Sequence, residues 1–273
     1  YSVGIMIYFN GDARMKICVL MKQVPNEDAA IRIKPDGSGI IDDNITFNTN
    51  EPDNYALEEA LLIKEGIGDG EVVICTLGPE SSSQTIKDGL AKGADRAIQI
   101  VDENSNHLDP LTTAKIFCEA IKEENFDLVL SGLQSDDGGH SQVGIILAEL
   151  LGTSHASLVV GTDIQGENCK VKRELESGWF QTVVLALPAS MTIQSGLNKP
   201  RYASLKGIMG VKKKPVDKKS LNELGFENVN SRTKYLKMYQ PQKTKETKYI
   251  EGDTEEIVQN LLNILKDDLK AIG

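Results

Sequence analysis

The chain has 273 residues, of which 40% are hydrophobic and 26% are charged, the balance of an ordinary globular protein. Its formal net charge of −10 argues against a dedicated nucleic-acid binder, because such proteins bind phosphates through an excess of positive charge. No apolar run approaches the ~20 residues that a membrane span needs, and we find no secretory signal pattern. We therefore expect a cytoplasmic protein that does not insert into membranes.

The cysteines and histidines lack the spacing of a metal site. The four cysteines are far apart in the sequence, and three of them lie in apolar runs, as free buried thiols do in a reducing compartment. Neither a CxxC pair nor an HxxxH pair is present. We expect neither a metal centre nor a disulfide framework.

The elements, taken in chain order, begin with a buried strand. Residues 16–21 form the apolar run KICVLM, which is typical of a parallel strand covered on both faces. The segment 31–41 has a Pro-Asp-Gly turn between short β-branched runs and predicts a hairpin. A helix follows, which Asn50 can cap, with Asp53 three residues on in the capping-box position.

Strands and helices then alternate. The predicted strands are 71–77, 96–101 and 126–132, and the predicted helices are 82–92, 110–124 and 142–151. This alternation with short turns predicts an α/β fold with a doubly wound, mostly parallel, Rossmann-like sheet. From about residue 157 to residue 191 strands follow without long helices. We interpret them as an extra β layer or as the far edge of the sheet.

The chemistry is expected at the carboxyl ends of the parallel strands, where open α/β sheets bind ligands. No P-loop, GxGxxG, GxSxG or HExxH motif is present. Three loops converge if their strands are neighbours: the loop after 16–21, the turn 76–79, and the loop 132–143. The last combines glycines with the backbone N–H groups of a helix start, which suits a phosphate. An ordinary Gly-rich loop that caps a helix is the alternative, and the pattern leaves both open.

We predict three regions along the chain. Residues 1–14 form an N-terminal extension, and residues 15–216 form an α/β nucleotide-binding domain. Residues 217–273 form an extended C-terminal arm that ends in a helix. The helix has an apolar stripe, which we expect to pack on another chain. The stripe consists of Ile257, Leu261, Leu262, Leu265 and Leu269.

A basic cluster stands out on this acidic protein. Between Lys199 and Lys219 there are eight basic residues and one acidic residue, Asp217. A solvated face explains such a cluster, and so does a docking or steering surface for a partner. Charge alone leaves both interpretations open.

One long segment, at residues 171–215, resembles the signature of electron transfer flavoprotein beta subunits. It contains V-x-R-E-x-x-x-G, then L-P-A-x-x-T, then N-x-P-R-Y-A-x-L. Four further segments resemble the same family in the same order: K-I-x-V-x-x-K-Q, N-E-P-D-N-Y-A-L-E-E-A, G-A-D-R-A and G-x-Q-S-D-D. The resemblance runs from Met15 to the C-terminal end.

The resemblance implies an electron carrier subunit without an active site of its own. It implies an obligate heterodimer with a larger alpha subunit that holds most of the FAD, and a structural AMP bound by this chain. The AMP pocket would consist of Leu20, Asn50, Glu51, Pro52, Asp53, Leu77, Gly132, Gln134, Ser135, Asp136, Asp137, Gly138, Gly139, His140, Ser141, Gln142 and Val143. Most of these residues lie in the loops that the strand ends had already indicated.

The resemblance also implies a transient partner, a dehydrogenase of the acyl-CoA dehydrogenase type. The electrons would pass on to a membrane quinone oxidoreductase or another acceptor. Leu205 has the position of the family's anchoring leucine, and Glu174 that of a glutamate that holds the mobile flavin domain. The predicted partner-binding residues are Pro200, Arg201, Tyr202, Ala203, Ser204, Leu205, Lys206 and Glu174.

Two alternatives stay open. Electron-bifurcating relatives bind a second FAD in place of AMP and take electrons from NADH. The loop 137–144 shares Gln-Val-Gly with their pattern but lacks its acidic and threonine positions. The second alternative is a stand-alone adenine-nucleotide-binding regulatory module. It would need the same sheet and loop but would have no use for the 171–215 segment or the C-terminal arm.

Overall fold

The computed structural model describes residues 14–41, 43–227, 229, 231–242, 247, 249–268 and 270–271. The chain divides into two compact units, Tyr1–Lys237 and Met238–Gly273. The predicted extension 1–14 lies outside the described residues except for its last residue, and so does Leu269 of the predicted stripe.

The first unit alternates strands with helices. The strands are β1 (Met15–Leu20), β2 (Gln23–Pro25), β3 (Arg32–Ile33), β4 (Ile40–Ile41), β5 (Phe47–Thr49), β6 (Gly70–Gly78), β7 (Arg96–Val101), β8 (Leu128–Gly132), β9 (Ser154–Gln165), β10 (Asn168–Glu174), β11 (Phe180–Ala186), β12 (Ala189–Ile193) and β13 (Val216–Ser220). Its helices are α1 (Glu51–Ile67), α2 (Ser83–Lys92), α3 (Pro110–Ile121), α4 (Val143–Leu151) and α5 (Leu205–Gly210).

Nine of these strands form one sheet in the order β11-β10-β9-β12-β8-β1-β6-β7-β13. All neighbouring pairs from β9 to β13 in this order are parallel, and only the pairs β9–β10 and β10–β11 are antiparallel. This arrangement confirms the α/β, mostly parallel sheet. The strands between residues 154 and 193 extend this same sheet beyond β8, with β11 at its edge, and do not form a separate layer.

The sheet is doubly wound because its central strands are apolar on both faces. Ile17 and Val19 of β1 face a core that includes residues of α1 and α2, whereas Cys18 and Leu20 face a core that includes residues of α3 and α4. Alternation of side chains along a strand sends successive residues to opposite faces, so a continuous apolar run requires cover on both. The predicted hairpin at 31–41 is also present as β3 and β4.

Two expectations need correction. The sparse arm was expected from residue 217, but residues Val216–Ser220 form β13, which pairs with β7 at the edge of the main sheet. Asn50 precedes α1 as expected, but its side chain makes no capping hydrogen bond. Its side chain is used elsewhere, at the candidate site.

The second unit contains helix α6 (Thr254–Asn263), followed by a π-helical turn at Ile264–Asp268. Asp253 and Glu256 form a capping box at its start, which satisfies backbone N–H groups of the first turn. None of the residues of α6 is buried within this unit. Among the described residues, no helix is long and apolar enough to cross a membrane.

Candidate functional site

The three predicted loops meet at one edge of the sheet. Their strands, β8, β1 and β6, are consecutive neighbours, and parallel strands place their carboxyl ends on the same side. Gln23, after β1, donates to the backbone oxygen of Ser81, after β6, over 3.0 Å. The Ser81 hydroxyl donates back to Gln23 Oε1 over 3.0 Å. The loops that follow β1 and β6 are therefore directly joined.

Asp53 joins the other pair of strand ends. Its carboxylate accepts the backbone N–H of Lys22, after β1, over 2.8 Å and that of Gly132, at the end of β8, over 3.0 Å. Burial raises the pKa of Asp53 to about 7, against the opposing effect of these hydrogen bonds and of Lys22. A side chain at position 132 would collide with this carboxylate, because a Cβ there would lie 2.5 Å from Asp53 Oδ1.

Asn50 ties the start of α1 to the long loop after β8. Its Nδ2 donates to the Gln134 carbonyl over 2.9 Å, and its Oδ1 accepts the Asp136 backbone N–H over 2.9 Å. Asp136 in turn accepts the backbone N–H of Glu51 over 3.1 Å. The carboxylate of Asp136 thus takes the capping role at α1 that the sequence had assigned to Asn50.

Lys22 and Asp137 form an ion pair across the site, with 2.7 Å from Nζ to each carboxylate oxygen. Burial raises the pKa of Asp137, but the Lys22 ammonium and hydrogen bonds from Ser135 and Gly138 outweigh it and bring the pKa below its usual value. Lys22 was not among the predicted site residues. The lysine of the K-I-x-V-x-x-K-Q segment was the signal that could have found it.

The turn from Gly138 to Gln142 is held by hydrogen bonds within the loop. Gly139 has a φ of +60°, and its N–H donates to the Ser135 carbonyl over 2.8 Å. The Ser141 hydroxyl donates to Gln134 Oε1 over 3.0 Å. His140 Nε2 lies 3.1 Å from the Tyr235 hydroxyl, so the imidazole has a partner within the same unit.

Helix α4 begins at this turn without a side-chain cap. Gln142, the residue before it, makes no capping hydrogen bond, whereas Asp109, Ser204 and Asp253 cap α3, α5 and α6. The first N–H groups of a helix have no partner inside the helix and carry partial positive charge, so they favour an anion. Gln142 is exposed. The start of α4 can therefore accept an anion such as a phosphate group.

Packing beneath α4 places this helix start against the strand ends. A Cβ at Gly144 would lie 2.5 Å from Ser131 Oγ and 2.6 Å from Thr192 Cγ2. Within the described residues, Ser131 Oγ and Thr192 Oγ1 are buried without a hydrogen-bond partner. Buried polar atoms of this kind ordinarily bind a partner, which marks the floor of this loop as polar.

The remaining predicted pocket residues are part of the core or of the first turn of α1. The side chains of Leu20 and Leu77 belong to the core beneath α3 and α4. Pro52 is buried in the first turn of α1. These three residues hold the strand ends and the helix start in place, and their side chains offer no polar group to a ligand.

The predicted partner-binding residues lie elsewhere, around α5. Leu205 is the first residue of this helix, and its side chain is 78% exposed. Arg201 pairs with Glu58 and Glu65 of α1. Glu174, at the end of β10, accepts a hydrogen bond from Gln194 over 3.2 Å. None of these contacts links Glu174 to the residues around α5.

Comparison with known proteins decides the family. The sequence model of the electron transfer flavoprotein domain matches residues 38–224. A relative named electron transfer flavoprotein subunit beta, from Methylophilus methylotrophus, is 36% identical over 93% of this chain and 98% of that protein. This chain belongs to the electron transfer flavoprotein beta-subunit family.

Two further beta subunits of electron transfer flavoproteins support this assignment. The protein from Bradyrhizobium diazoefficiens is 40% identical over 91% of this chain and 98% of that protein. The human protein is 33% identical over 92% of this chain and 98% of that protein. Because the matches span almost the whole of both chains, they confirm the family that the 171–215 segment indicated.

Proposed function

We propose that this chain is the beta subunit of a heterodimeric electron transfer flavoprotein and carries electrons only together with a larger alpha subunit. Membership of the family and the names of its relatives support this role. The chain itself would have no active site. Its part is to bind a nucleotide, to hold the alpha subunit and to present a surface to other electron carriers.

The nucleotide at the strand ends is AMP, with a structural role. The observation that carries this proposal is the uncapped start of α4 beside loops that Asp53 and Asn50 join together. The backbone N–H groups of Gln142 and Val143 would hold the phosphate. A ligand that binds only the folded state stabilises that state by mass action, so AMP would strengthen the junction of three loops.

FAD, held mainly by the alpha subunit, supplies the redox chemistry when it is bound. Glu174 would hold the mobile flavin domain through an arginine of the alpha subunit. Its hydrogen bond to Gln194 at 3.2 Å keeps the carboxylate at the end of β10. A transient ion pair of this kind suits a domain that must move between two partners.

The electrons come from a dehydrogenase of the acyl-CoA dehydrogenase type, and they pass to a membrane quinone oxidoreductase or another acceptor. The exposed Leu205 would enter an apolar pocket of the dehydrogenase. Around it, Lys206, Lys212 and Lys213 are exposed and would attract an acidic partner surface. A small apolar contact with a charged rim allows fast association and ready release.

The test is to co-express the chain with its alpha subunit and to measure what the complex binds and accepts. Denaturing the purified heterodimer should release one FAD and one AMP. An acyl-CoA dehydrogenase with its substrate should then reduce the bound flavin.

Other outcomes would contradict the proposal in distinct ways. Two FAD and no AMP per heterodimer would assign the chain to the electron-bifurcating type, with NADH as the donor to test. A colourless monomer that binds an adenine nucleotide, and that forms no complex with the alpha subunit, would indicate a stand-alone regulatory module.

A further inference from the structure

The segment Tyr202–Gly210, which we call the docking segment, exposes several apolar side chains. Tyr202 is 94% exposed, Leu205 78% and Met209 76%. Exposed apolar groups bind a partner more tightly when they are held in one conformation before binding, because less conformational entropy is then lost. The contacts that fix this segment are therefore part of how it binds.

Arg201 anchors the N-terminal end of the docking segment on helix α1. Its Nε and Nη2 donate to the two carboxylate oxygens of Glu58, each over 2.9 Å, and its backbone N–H donates to Glu58 over 3.0 Å. Glu58 is buried and Arg201 is half-buried, so the pair is partly shielded from water. Arg201 Nη1 also donates to Glu65 over 2.5 Å. A two-pronged arginine–carboxylate pair fixes orientation as well as distance.

A second anchor fixes the C-terminal end on helix α2. Lys214 Nζ donates to the carbonyl oxygen of Leu90, in the last turn of α2, over 2.8 Å and to that of Ala94, just after α2, over 2.5 Å. Between the anchors, α5 packs so closely on α2 that a Cβ at Gly207 would lie 2.1 Å from the Ala91 carbonyl oxygen. The docking segment is thus attached at both ends and pressed on α2 in its middle.

We propose that Arg201, paired with Glu58, is a positioning residue that holds the docking segment in its binding conformation, so that Leu205 is presented to the partner dehydrogenase. This inference rests on the proposed function, and it assigns Arg201 a role within its own subunit in place of direct contact with the partner. Lysine cannot replace it, because an ammonium group is a point charge without the planar fork that engages both oxygens of Glu58.

The experiment compares Arg201→Lys with the wild-type heterodimer. We expect the KM of the dehydrogenase for the variant to rise about tenfold, with kcat and the FAD content unchanged. A displaced Leu205 weakens association and leaves the later steps as they are. The Gly207 and Ile208 amides of α5 donate to Ser204, the residue that caps this helix, and their hydrogen exchange in the heterodimer should become faster even when no dehydrogenase is present. Arg96→Lys is the matched control, because Arg96 also bridges two carboxylates, Glu71 and Glu124, outside the docking segment.

A double-variant cycle separates positioning from general stabilisation. In a Leu205→Ala background, Arg201→Lys should raise KM by less than about twofold, because residues that act through one contact are not additive. Full additivity, or an unchanged KM for Arg201→Lys alone, would overturn the proposal. Glu58→Gln provides a second route if Arg201→Lys folds poorly, since it removes the same pair from the other side and should raise KM in the same way.

The exchange measurement also separates this proposal from the proposed function. If the wild-type complex accepted no electrons from any acyl-CoA dehydrogenase, the proposed partner would be wrong. Faster exchange of the Gly207 and Ile208 amides in Arg201→Lys would still support the anchoring role. Unchanged exchange would overturn it, whatever the partner is.

Discussion

At the scale of single residues, Asp53 is the side chain on which the candidate nucleotide site depends, because its carboxylate joins the ends of β1 and β8. Its pKa in the folded state is about 7, whereas a carboxyl in the unfolded chain has a pKa near 3.8. Between these two values the folded protein holds a proton that the unfolded chain has released. The contribution of Asp53 to stability is therefore present at low pH and is lost as the pH rises to about 7.

We predict that Asp53→Asn lowers the thermal midpoint of the heterodimer most at pH 5 and least at pH 8. Between pH 5 and about pH 7 the free energy of unfolding of the wild-type protein falls by about 1.4 kcal/mol per pH unit from Asp53 alone, whereas the amide does not titrate. Thermal unfolding of both proteins from pH 5 to pH 8 measures the difference. A constant difference across that range would contradict the raised pKa.

Asp109 provides a matched control for the Asp53 experiment. It is also a buried carboxylate with backbone donors, Thr112 and Arg232, but these hydrogen bonds outweigh its burial and bring its pKa down to about 2. Its contribution to stability is therefore present above pH 4 and is lost only as the pH falls toward 2. Asp109→Asn should lower the thermal midpoint equally at pH 6 and pH 8.

Leu205→Ala should weaken electron transfer from the partner dehydrogenase while leaving FAD content intact. Because the leucine is 78% exposed, its truncation should change the free energy of unfolding by less than ~0.5 kcal/mol. If the side chain fills a pocket on the partner, its loss should cost about 1.5–3 kcal/mol of association, more than tenfold in affinity. Steady-state kinetics with the heterodimer as acceptor measures this effect.

Two comparisons complete the test of Leu205. Leu236→Ala removes another exposed leucine, 91% accessible and outside the docking segment, and should leave KM unchanged. Neutralising Lys206, Lys212 and Lys213 should slow association chiefly at low salt, because surface charges steer encounter and are screened by ions. A Leu205→Ala protein that unfolds more easily yet accepts electrons normally would place the leucine in a structural role.

At the scale of single elements, the start of α4 gives a prediction in which helix stability and ligand affinity change in opposite directions. Gln142→Asp should stabilise α4 by about 1 kcal/mol, because a carboxylate at this position accepts the free N–H groups of the first turn. The same carboxylate should repel the phosphate of the AMP that we propose for this site. AMP released per heterodimer, together with the thermal midpoint of nucleotide-free protein, measures both effects.

The neutral variant Gln142→Asn is the control for this experiment. Asparagine also caps a helix start but carries no charge, so it should reduce AMP content less than aspartate does. Equal AMP content in wild-type protein and in Gln142→Asp would show that the phosphate does not bind at this position.

Helix α5 contains two glycines, Gly207 and Gly210. Gly207→Ala should displace α5, because its Cβ would lie 2.1 Å from the Ala91 carbonyl oxygen, and should cost about 1–3 kcal/mol of stability. Gly210→Ala meets no atom within 4 Å and should be neutral or stabilising. Thermal midpoints of the two variants measure the contrast, and equal effects would contradict close packing at Gly207.

At the scale of the whole molecule, apolar surface remains that the chain does not cover. Trp179 before the edge strand β11, and Phe180 and Val184 within it, are exposed, and no residue of α6 is buried within its unit. Such surface in one chain indicates contact with another. We predict that the chain expressed alone aggregates or unfolds at a lower temperature than the heterodimer, and that it binds no flavin. A monodisperse monomer that unfolds cooperatively and contains flavin in size-exclusion and calorimetric experiments would contradict this.

Much of the fold could be predicted from short segments. The strand predicted at 96–101 is β7 as observed, and the helix predicted at 82–92 differs from α2 by one residue. Apolar runs, helix periodicity and the glycines that end helices are all local signals, so neighbouring residues contain them. The strand β13 was missed because VDKKS is exposed and polar, as suits an edge strand but not a buried one.

The candidate site could be predicted only in outline. The sequence indicated which loops would meet, because parallel strands place their carboxyl ends together. It assigned Asn50 to a helix cap, since the local pattern matches one. In the structure this side chain forms hydrogen bonds with the backbone of Gln134 and Asp136, 84 and 86 residues further along the chain.

The sequence by itself determined the α/β class, the order of the main elements and the family. Periodicity and ordered motifs depend only on the order of residues along the chain, so they can be recognised without the tertiary structure. The tertiary structure decided how the buried polar side chains are paired. Asp53 meets Gly132 across 79 positions, and Glu58 meets Arg201 across 143. A buried carboxylate must find donors wherever the fold brings them, and that pairing depends on sheet order and helix packing, which no local pattern contains.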